Sequence, residues 1–546
     1  MDKKKKGIRK SGFVKGAFVA TFAIVLTKIL GIIYVIPFHA VIGEQGGALY
    51  GYAYTIYILF MSLSSAGIPL AISKIVSEYQ TLGYYNAKKR AFVIGKKIAL
   101  LLGFICFLVL MFFAPFIAKS VLGDLTGGNT IQDVTFVIRV IASAILIVPL
   151  LSIYRGYFEG HRFMDEPSFS QVLEQLVRVF IIVLGSFMAI KVFDLSLTTA
   201  VGIAVFGATA GAIASYLYLV YKKKENNAKF NEKVRPVNEP IITNKQILRK
   251  IVIYAVPFIL IDVFKSLYSY VDMVTVVKGL VNHAEFSVSN AEIVMSSLST
   301  WAAKFNMILL AISTGIIVSL IPNLTQSVVK KDSVDVNNKV NQALSILIFF
   351  TLPMTLGISL LAPAIWNLFY GVSEFGANIL SFYIFVGFMI GLFTATITIV
   401  QVLKDYKTVI ISLFVGVIVK ILLNTNLMIA FYKMGLPAYY GVIAASLIGY
   451  FISFIICIVS LKVKYHIRYE MFVRNFIDVV CGTMLMFIIL YLLQFVIPIS
   501  SDNRLLNLVI LIVYGSVGAL IYFIYSHKFK VFDRVFGRKF SLFKRK

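Results

Sequence analysis

The sequence predicts an all-α polytopic membrane protein with about 14 transmembrane helices. Of its 546 residues, 59% are apolar and only 14% are charged, and the mean hydropathy is +0.88. Soluble domains average about 45–50% apolar and about 25% charged residues, so the composition excludes an ordinary soluble enzyme. A membrane-spanning helix needs about 20 mostly apolar residues, and the apolar stretches of this chain are long enough for fourteen.

Those stretches follow one another along the whole chain. In order they predict spans at residues 17–38, 50–75, 98–118, 134–157, 168–190, 197–221, 251–276, 293–322, 342–370, 378–403, 408–432, 437–461, 479–497 and 505–526. The polar break at 222–250 divides them into six and eight. The predicted domains are therefore an N-lobe, a basic cytoplasmic linker, a C-lobe, a final helix pair and a basic tail, at residues 1–221, 222–250, 251–462, 463–526 and 527–546.

The basic residues are distributed unevenly between the two predicted sides of the membrane. The chain carries 52 Lys and Arg against 25 Asp and Glu, a net charge of +27. With the N-terminus inside, 39 of the 52 basic residues fall on the inner side, five fall on the outer side and eight lie within spans. Because basic loops stay cytoplasmic, both termini are predicted to be cytoplasmic. The charge then indicates anionic membrane lipids as partners and excludes nucleic acid.

An internal repeat links the two halves. The segment Ser65–Ile68 (SAGI) in the second span recurs 248 residues later as Ser313–Ile316 (STGI) in the eighth, and a proline follows each. Transporters are often built from two such repeats, with the binding site between them. Glycine and proline suit both helices to bend, and the predicted hinge residues are Gly67, Pro69, Gly315 and Pro322.

Ionisable residues inside spans are costly and mark functional sites. The basic set outnumbers the acidic set by eight to three, which suits an anionic substrate such as a pyrophosphate; the residues are Lys28, Lys74, Arg139, Arg155, Arg178, Lys265, Lys304 and Lys420 against Glu174, Asp262 and Asp272. Glu174 and Arg178 share one helix face with Gln171 and Gln175. Two structural interpretations stay open as alternatives to a binding role. In the first, Glu174 and Arg178 only neutralise each other for helix packing. In the second, Lys74, Arg139 and Arg155 extend to the lipid headgroups.

No enzyme chemistry is predicted. The five histidines are scattered, and the three cysteines (Cys106, Cys457, Cys481) lie in apolar runs. The chain has no phosphate-binding glycine loop ending in Lys-Ser/Thr, no His-Glu-x-x-His and no nucleophile elbow. We therefore expect no cofactor and no metal.

Five segments resemble one family. They are Thr27–Gly31 (TKILG), Ser65–Lys74 (SAGIPLAISK), Tyr154–Gly160 (YRGYFEG), Ser170–Gln175 (SQVLEQ) and Trp301–Lys304 (WAAK). The chain resembles the YtgP/SpoVB-like branch of the MurJ-type lipid II flippases, in the multidrug/oligosaccharidyl-lipid/polysaccharide (MOP) exporter superfamily. The resemblance covers essentially the whole sequence, and fourteen helices is the count of that family.

The resemblance implies two six-helix lobes around a V-shaped cavity, with the last two helices forming a groove for a lipid tail. The implied activity is alternating-access transfer of undecaprenyl-pyrophosphate-linked peptidoglycan precursor across the bacterial plasma membrane. Cell-wall assembly proteins are a further class of implied partner.

Three groups of residues take their expected roles from this resemblance. Lys28 and Lys304 replace cavity arginines of the family, so lysine keeps the charge but loses the bidentate fork. Arg155, Lys74, Arg178 and Glu174 complete the candidate substrate-binding set. Where some relatives hold sodium, this chain has Asp272, Lys420 and Asn424, and Lys420 is expected to pair with Asp272 as a built-in cation.

Three alternatives remain open at this stage. A flippase for another polyprenyl-linked polysaccharide repeat has nearly the same sequence requirements. An ion-coupled drug antiporter of the same superfamily predicts acidic residues in the N-lobe cavity, whereas the first span has none. A non-transporting scaffold for wall-assembly enzymes has no need of Lys28 and Lys304 within the membrane.

Overall fold

The computed structural model describes residues 23, 26–230 and 239–536, and every regular element among them is helical. The predicted all-α membrane fold is confirmed. Four parts of the chain lie outside the described residues. They are the basic start, eight residues of the first predicted span, the middle of the predicted linker and the last ten residues of the basic tail.

The chain divides into two compact units, Met1–Val274 and Thr275–Lys546. The first unit contains α1 (26–33), α2 (Val35–Ser65), α3 (Ile68–Leu82), α4 (Tyr85–Leu122), α5 (Ile131–Gly160), α6 (Asp165–Phe180), α7 (Leu197–Glu225), α8 (Asn227–Phe230) and most of α9 (Asn244–Ala284). Two π-helical stretches, Ile181–Gly185 and Met188–Val192, extend α6. Within this unit α5 packs against α2, α3, α4 and α7, and α6 packs against α7.

The second unit begins at the last turns of α9. It continues with α10 (Val288–Ser296), a π-helical stretch (Ser297–Trp301), α11 (Ala302–Val329), α12 (Ser333–Leu360), α13 (Ala362–Phe369), α14 (Gly376–Val402), α15 (Tyr406–Lys433), α16 (Tyr439–Tyr465), α17 (Glu470–Leu493), α18 (Arg504–Lys528) and α19 (Val531–Phe536). Here α11 packs against α12 and α14, α15 against α16, and α17 against α12 and α18.

Twelve helices of the described chain are long and apolar enough to cross a membrane, so this is a multi-pass membrane protein. Two predicted spans have no counterpart among the twelve. Of the 22 residues of the first span, eight lie outside the described residues. The seventh falls within α9, which is continuous for 41 residues and carries Asp262, Lys265 and Asp272. The total of fourteen stays a prediction.

Side-chain caps set where several helices begin. Thr130 and Asp133 form a reciprocal capping box at the start of α5, and Ser196 accepts from the Thr199 amide at the start of α7. Such caps satisfy amides that have no partner within the helix. The polar loops between spans therefore also fix the ends of the spans.

The second predicted span is broken at Gly67. This residue has φ of +71° and separates α2 from α3, and Pro69 lies in the first turn of α3. A Cβ atom at Gly67 would lie 2.5 Å from the carbonyl oxygen of Ala255 on α9. Both the backbone conformation and the close approach of α9 therefore require glycine.

The corresponding segment of the repeat behaves differently. The helix α11 runs without interruption through Gly315, where an added Cβ would meet nothing within 4 Å. The irregular geometry of this span lies earlier, in the π-helical stretch Ser297–Trp301. The two halves therefore share the sequence SAGI/STGI without sharing its backbone conformation.

The predicted linker is mostly structured and attached to the first unit. Lys88 on α4 is fully buried, and its ammonium donates to Gln80 Oε1 (2.6 Å) and to the carbonyl of Phe230 (2.7 Å). The Glu239 carboxylate accepts from the amides of Asn86 and Ala87 at the start of α4 (3.0 and 2.6 Å). The start of α4 thus holds the linker on both sides of residues 231–238, at Phe230 and at Glu239.

We predict that Gly67→Ala destabilises the protein by more than about 2 kcal/mol. The left-handed conformation costs an L-residue about 1–2 kcal/mol, and the contact with Ala255 adds to it. Gly315→Ala is the matched control and should be neutral or stabilising, since alanine favours a helix interior by about 1 kcal/mol. Thermal unfolding of the purified protein in detergent measures both; equal melting temperatures for the two variants would contradict the prediction.

Candidate functional site

A buried carboxylate shared by two arginines lies within the first unit. Arg155 Nη2 on α5 is 2.8 Å from Glu174 Oε2, and Arg178 Nη2 is 2.6 Å from Glu174 Oε1. The three side chains are only 13–16% exposed. The predicted pair of Glu174 and Arg178 is present, but it does not neutralise itself, because Arg155 leaves the group with a net charge of +1.

Hydrogen bonds from neighbouring helices fix this network. Arg155 Nε donates to Ser170 Oγ (2.9 Å), and Arg178 Nη1 donates to the hydroxyl of Tyr54 on α2 (3.0 Å). Arg155 therefore lies inside the unit and does not reach toward headgroups. The sequence did not predict that Tyr54 and Ser170 contact the arginines, because only the packing of α2, α5 and α6 brings them together.

Two glycines on α7 allow α6 to approach closely. A Cβ at Gly211 would lie 2.6 Å from the carbonyl oxygen of Glu174, and one at Gly207 would lie 3.0 Å from that of Arg178. Small residues at this spacing let helix backbones meet in a membrane. The register of α6 against α7, and with it the position of Glu174, depends on both.

One polar atom of the network has no partner among the described residues. Arg178 Nε is buried and makes no hydrogen bond there. The ring of Tyr54 stacks on that of Tyr50 at 5.3 Å, which gives the arginine an aromatic wall. The network thus combines excess positive charge, an unused donor and aromatic surface, a set suited to an anionic ligand.

Lys28 lies on the side of α1 that faces this polar surface. It is half-buried and sits one turn before Gly31, where an added Cβ would lie 3.7 Å from Gln175 Nε2 on α6. Because residues three apart share a helix face, Lys28 is on the α6 side of its helix. Lys74 contacts a different element: its ammonium lies 4.0 Å above the ring of Tyr254 on α9.

In the second unit, Lys304 is half-buried near the start of α11, directly after the π-helical stretch. A π-helical turn often accompanies a functional site. The neighbouring Trp301 is fully buried, and its carbonyl accepts from the hydroxyl of Tyr370 (3.2 Å). The segment that carries Lys304 is therefore anchored by the packing of Trp301 against Tyr370.

Lys420 and Asn424 are both fully buried on α15. The Lys420 ammonium donates to Ser446 Oγ (2.5 Å) and to the Val442 carbonyl (3.1 Å) on α16, and Asn424 Nδ2 donates to Thr275 Oγ1 (2.7 Å). Lys420 therefore points into its own unit and does not extend toward the membrane surface. Its predicted pairing with Asp272 stays a prediction.

The last helices border an apolar cavity of about 450 Å³. Its walls come from α12, α13, α17, α18 and α19 and are almost wholly aliphatic or aromatic, including Met354, Ile358, Leu490, Tyr514 and Phe523. A cavity of this lining accommodates hydrocarbon. It lies between helices of the predicted C-lobe and the final helix pair; the lipid-tail groove that the family resemblance implies for that pair stays a prediction.

Comparison with known structures defines the class of fold. The chain aligns with the lipid II flippase MurJ in an inward closed conformation at a TM-score of 0.65, with 16% identity over 94% of this chain and 98% of that one. It aligns with an inward-facing MATE family multidrug resistance transporter of the MOP superfamily at 0.62, with 13% identity over 82% of this chain and 98% of that one. The fold is that of MOP superfamily transporters.

Sequence comparison is more specific. Residues 13–328 match the family of polysaccharide biosynthesis proteins. The lipid II flippase MurJ of Bacillus subtilis (strain 168) is 30% identical over 98% of this chain and 99% of its own length. The chain therefore belongs to the polysaccharide biosynthesis protein family and, within it, to the family of MurJ, which confirms the resemblance seen in its motifs.

We predict that Glu174→Gln destabilises the protein by about 3 kcal/mol or more, because it strands two buried arginines. The matched control is Glu225→Gln, which removes an equally short ion pair with Lys222 (2.8 Å) at a more exposed position and should cost less than about 1 kcal/mol. Thermal unfolding in detergent compares them. An equal loss in both variants would mean that the network around Glu174 has no special stability role.

Proposed function

We propose that the protein is a flippase that moves an undecaprenyl-pyrophosphate-linked peptidoglycan precursor, lipid II, from the inner to the outer leaflet by alternating access. The observation that carries this proposal is the buried network of Arg155, Glu174 and Arg178 with its net positive charge. It supports an anionic headgroup as cargo, and membership of the MurJ family over the full chain narrows that headgroup to a lipid-linked glycan precursor. Both termini lie in the cytoplasm, as the distribution of basic residues indicates.

In this proposal the cargo is recognised by its two chemical parts. Lys28, Lys304 and the Arg155 network supply charge-assisted hydrogen bonds to the pyrophosphate, with Lys74 as a further cation of the first unit. The apolar cavity beside α17 and α18 takes part of the polyprenyl chain, which gains free energy with each buried methylene. Gly67 and Pro69, with Gly315 and Pro322, serve as the places where the helices bend during transport.

A flippase for another polyprenyl-linked polysaccharide repeat is the second candidate. The family match to polysaccharide biosynthesis proteins favours it as much as it favours a peptidoglycan precursor. Depletion in the source cell separates the two, since only a lipid II flippase is required for peptidoglycan synthesis. A drug antiporter is disfavoured, because a cationic drug has no complement in the positively charged network of the first unit.

The test is reconstitution into liposomes with labelled lipid II, read out as leaflet accessibility. Lys28→Ala and Lys304→Ala should each weaken transport about tenfold or more, since a charge-assisted contact contributes about 1.5–3 kcal/mol. Lys28→Arg and Lys304→Arg should each retain transport. Normal transport by both alanine variants would overturn the assignment of these lysines, and absence of transport by the wild-type protein would overturn the proposed function.

We further propose that Lys420 acts as a built-in cation in place of sodium. A buried ammonium already present on α15 leaves no charge for a sodium ion to supply there, so wild-type transport should be equal in sodium and choline buffers. Lys420→Ala should lose activity, and a second change, Asp272→Asn, should recover much of it if the predicted pair exists. Lys433→Ala, at an exposed position on the same helix, is the control; a sodium requirement of the wild-type protein would refute the proposal.

A further inference from the structure

Two lysines of the first unit converge on one aromatic ring. Lys96 Nζ lies 5.1 Å and Lys223 Nζ lies 4.9 Å from the centre of the Phe92 ring. The two ammonium groups come from different helices, α4 and α7, and both side chains are half-buried. By these distances they are at most about 10 Å apart.

The surface beneath them is aromatic. Phe92 is buried and packs against Tyr157 of α5 at 4.3 Å and against Tyr154 at 5.2 Å between ring centres. Lys223 also lies 5.6 Å from the Tyr157 ring. Attraction between a cation and a ring face holds ammonium groups in such places, but it does not balance their charge.

The pair lacks a counter-charge among the described residues. Neither Lys96 nor Lys223 has an acidic group within ion-pair distance there, and the charged groups that act on Lys223 are the cationic Lys96 and Lys89. Its sequence neighbour Lys222 is different, because it is paired with Glu225 at 2.8 Å. Two like charges held over one ring raise the free energy of the unit until an anion joins them.

The position of the pair matches a lipid headgroup. Lys96 lies just before the apolar stretch of α4, and Lys223 and Tyr157 lie at the ends of the apolar stretches of α7 and α5. All three therefore lie at one membrane boundary, at the level of lipid phosphates. Each ammonium-to-oxygen contact takes about 2.8 Å, so two acceptor oxygens roughly 4 Å apart can reach both ammonium groups even at their greatest separation. One pyrophosphate group offers such a pair of oxygens.

We propose that Lys96 and Lys223, on the aromatic floor of Phe92 and Tyr157, form an entry subsite for the pyrophosphate of the lipid-linked substrate. This inference rests on the proposed function and adds a separate site to it, outside the Arg155 network. A membrane phospholipid offers related phosphate chemistry with one phosphate, and the experiment separates the two sources.

The experiment measures binding by the full chain in phosphatidylcholine nanodiscs, with undecaprenyl pyrophosphate as the probe. The double variant Lys96→Gln/Lys223→Gln should raise the Kd roughly tenfold or more, since two charge-assisted contacts are lost. Lys222→Gln is the matched control and should stay within about twofold of the wild type. Lys96→Arg/Lys223→Arg keeps both charges and should bind like the wild type.

A second variant distinguishes loss of the site from misfolding. Lys96→Glu places a carboxylate beside Lys223, so it should raise the melting temperature through a new ion pair and still abolish the contribution of the site to binding. Loss of binding together with increased stability supports the subsite, since a variant that merely unfolds cannot produce both. Unchanged binding by Lys96→Glu overturns it.

The remaining outcomes separate this inference from the proposed function. Nanodiscs containing phosphatidylglycerol provide the competing lipid: if the double variant loses phosphatidylglycerol binding but keeps undecaprenyl pyrophosphate binding, the substrate subsite is overturned. If the wild type flips lipid II and the double variant matches it in rate and Kd, the subsite alone is overturned. If binding depends on both lysines but the wild type does not flip lipid II, the proposed function alone fails.

Discussion

The structure depends on the absence of water from the bilayer interior. Backbone N–H and C=O groups there have only one another as partners, so long continuous helices are the stable solution. An interruption of a membrane helix is therefore informative. At Gly67 the chain leaves the helix and enters it again within two residues. The Gly67 carbonyl accepts from the Ala71 amide (2.9 Å). Pro69 lies where a helix lacks an internal acceptor for its amide in any case. The break between α2 and α3 therefore costs few backbone hydrogen bonds.

The same constraint governs the charged side chains. Within the described chain, Lys88 is buried with a carbonyl and an amide oxygen as acceptors, and Lys420 with a hydroxyl and a carbonyl. Arg155 and Arg178 share one carboxylate. These groups are stabilised by the protein itself and hold helices in register. Lys96 and Lys223 differ because an aromatic ring is their partner, and this difference separates a structural cation from one available to a ligand.

Hydropathy was sufficient to predict the helical membrane class and most of the spans, because each span must satisfy its own backbone. Helical spacing likewise predicted that Glu174 and Arg178 share a face. It did not predict Arg155 in the same network, since that contact depends on how α5 packs against α6 through the glycines of α7. The polar composition of the linker at 222–250 conceals the helical turns at both of its ends. Lys96 and Lys223 converge only because three helices pack together, so no local sequence pattern predicts their proximity.

The distribution of lysine and arginine fits a carrier that must release what it binds. Arginine presents a rigid fork that is well suited to permanent pairs, whereas lysine presents a compact charge on a flexible stem. In the first unit the arginines of the network are fixed by Glu174, Ser170 and Tyr54, while Lys28, Lys96 and Lys223 are half-buried. A flexible ammonium follows a moving pyrophosphate through several geometries and holds it less tightly in any one of them. In the proposed transport, half-buried lysines such as Lys28, Lys96 and Lys223 therefore favour a shallow series of binding steps over one deep site.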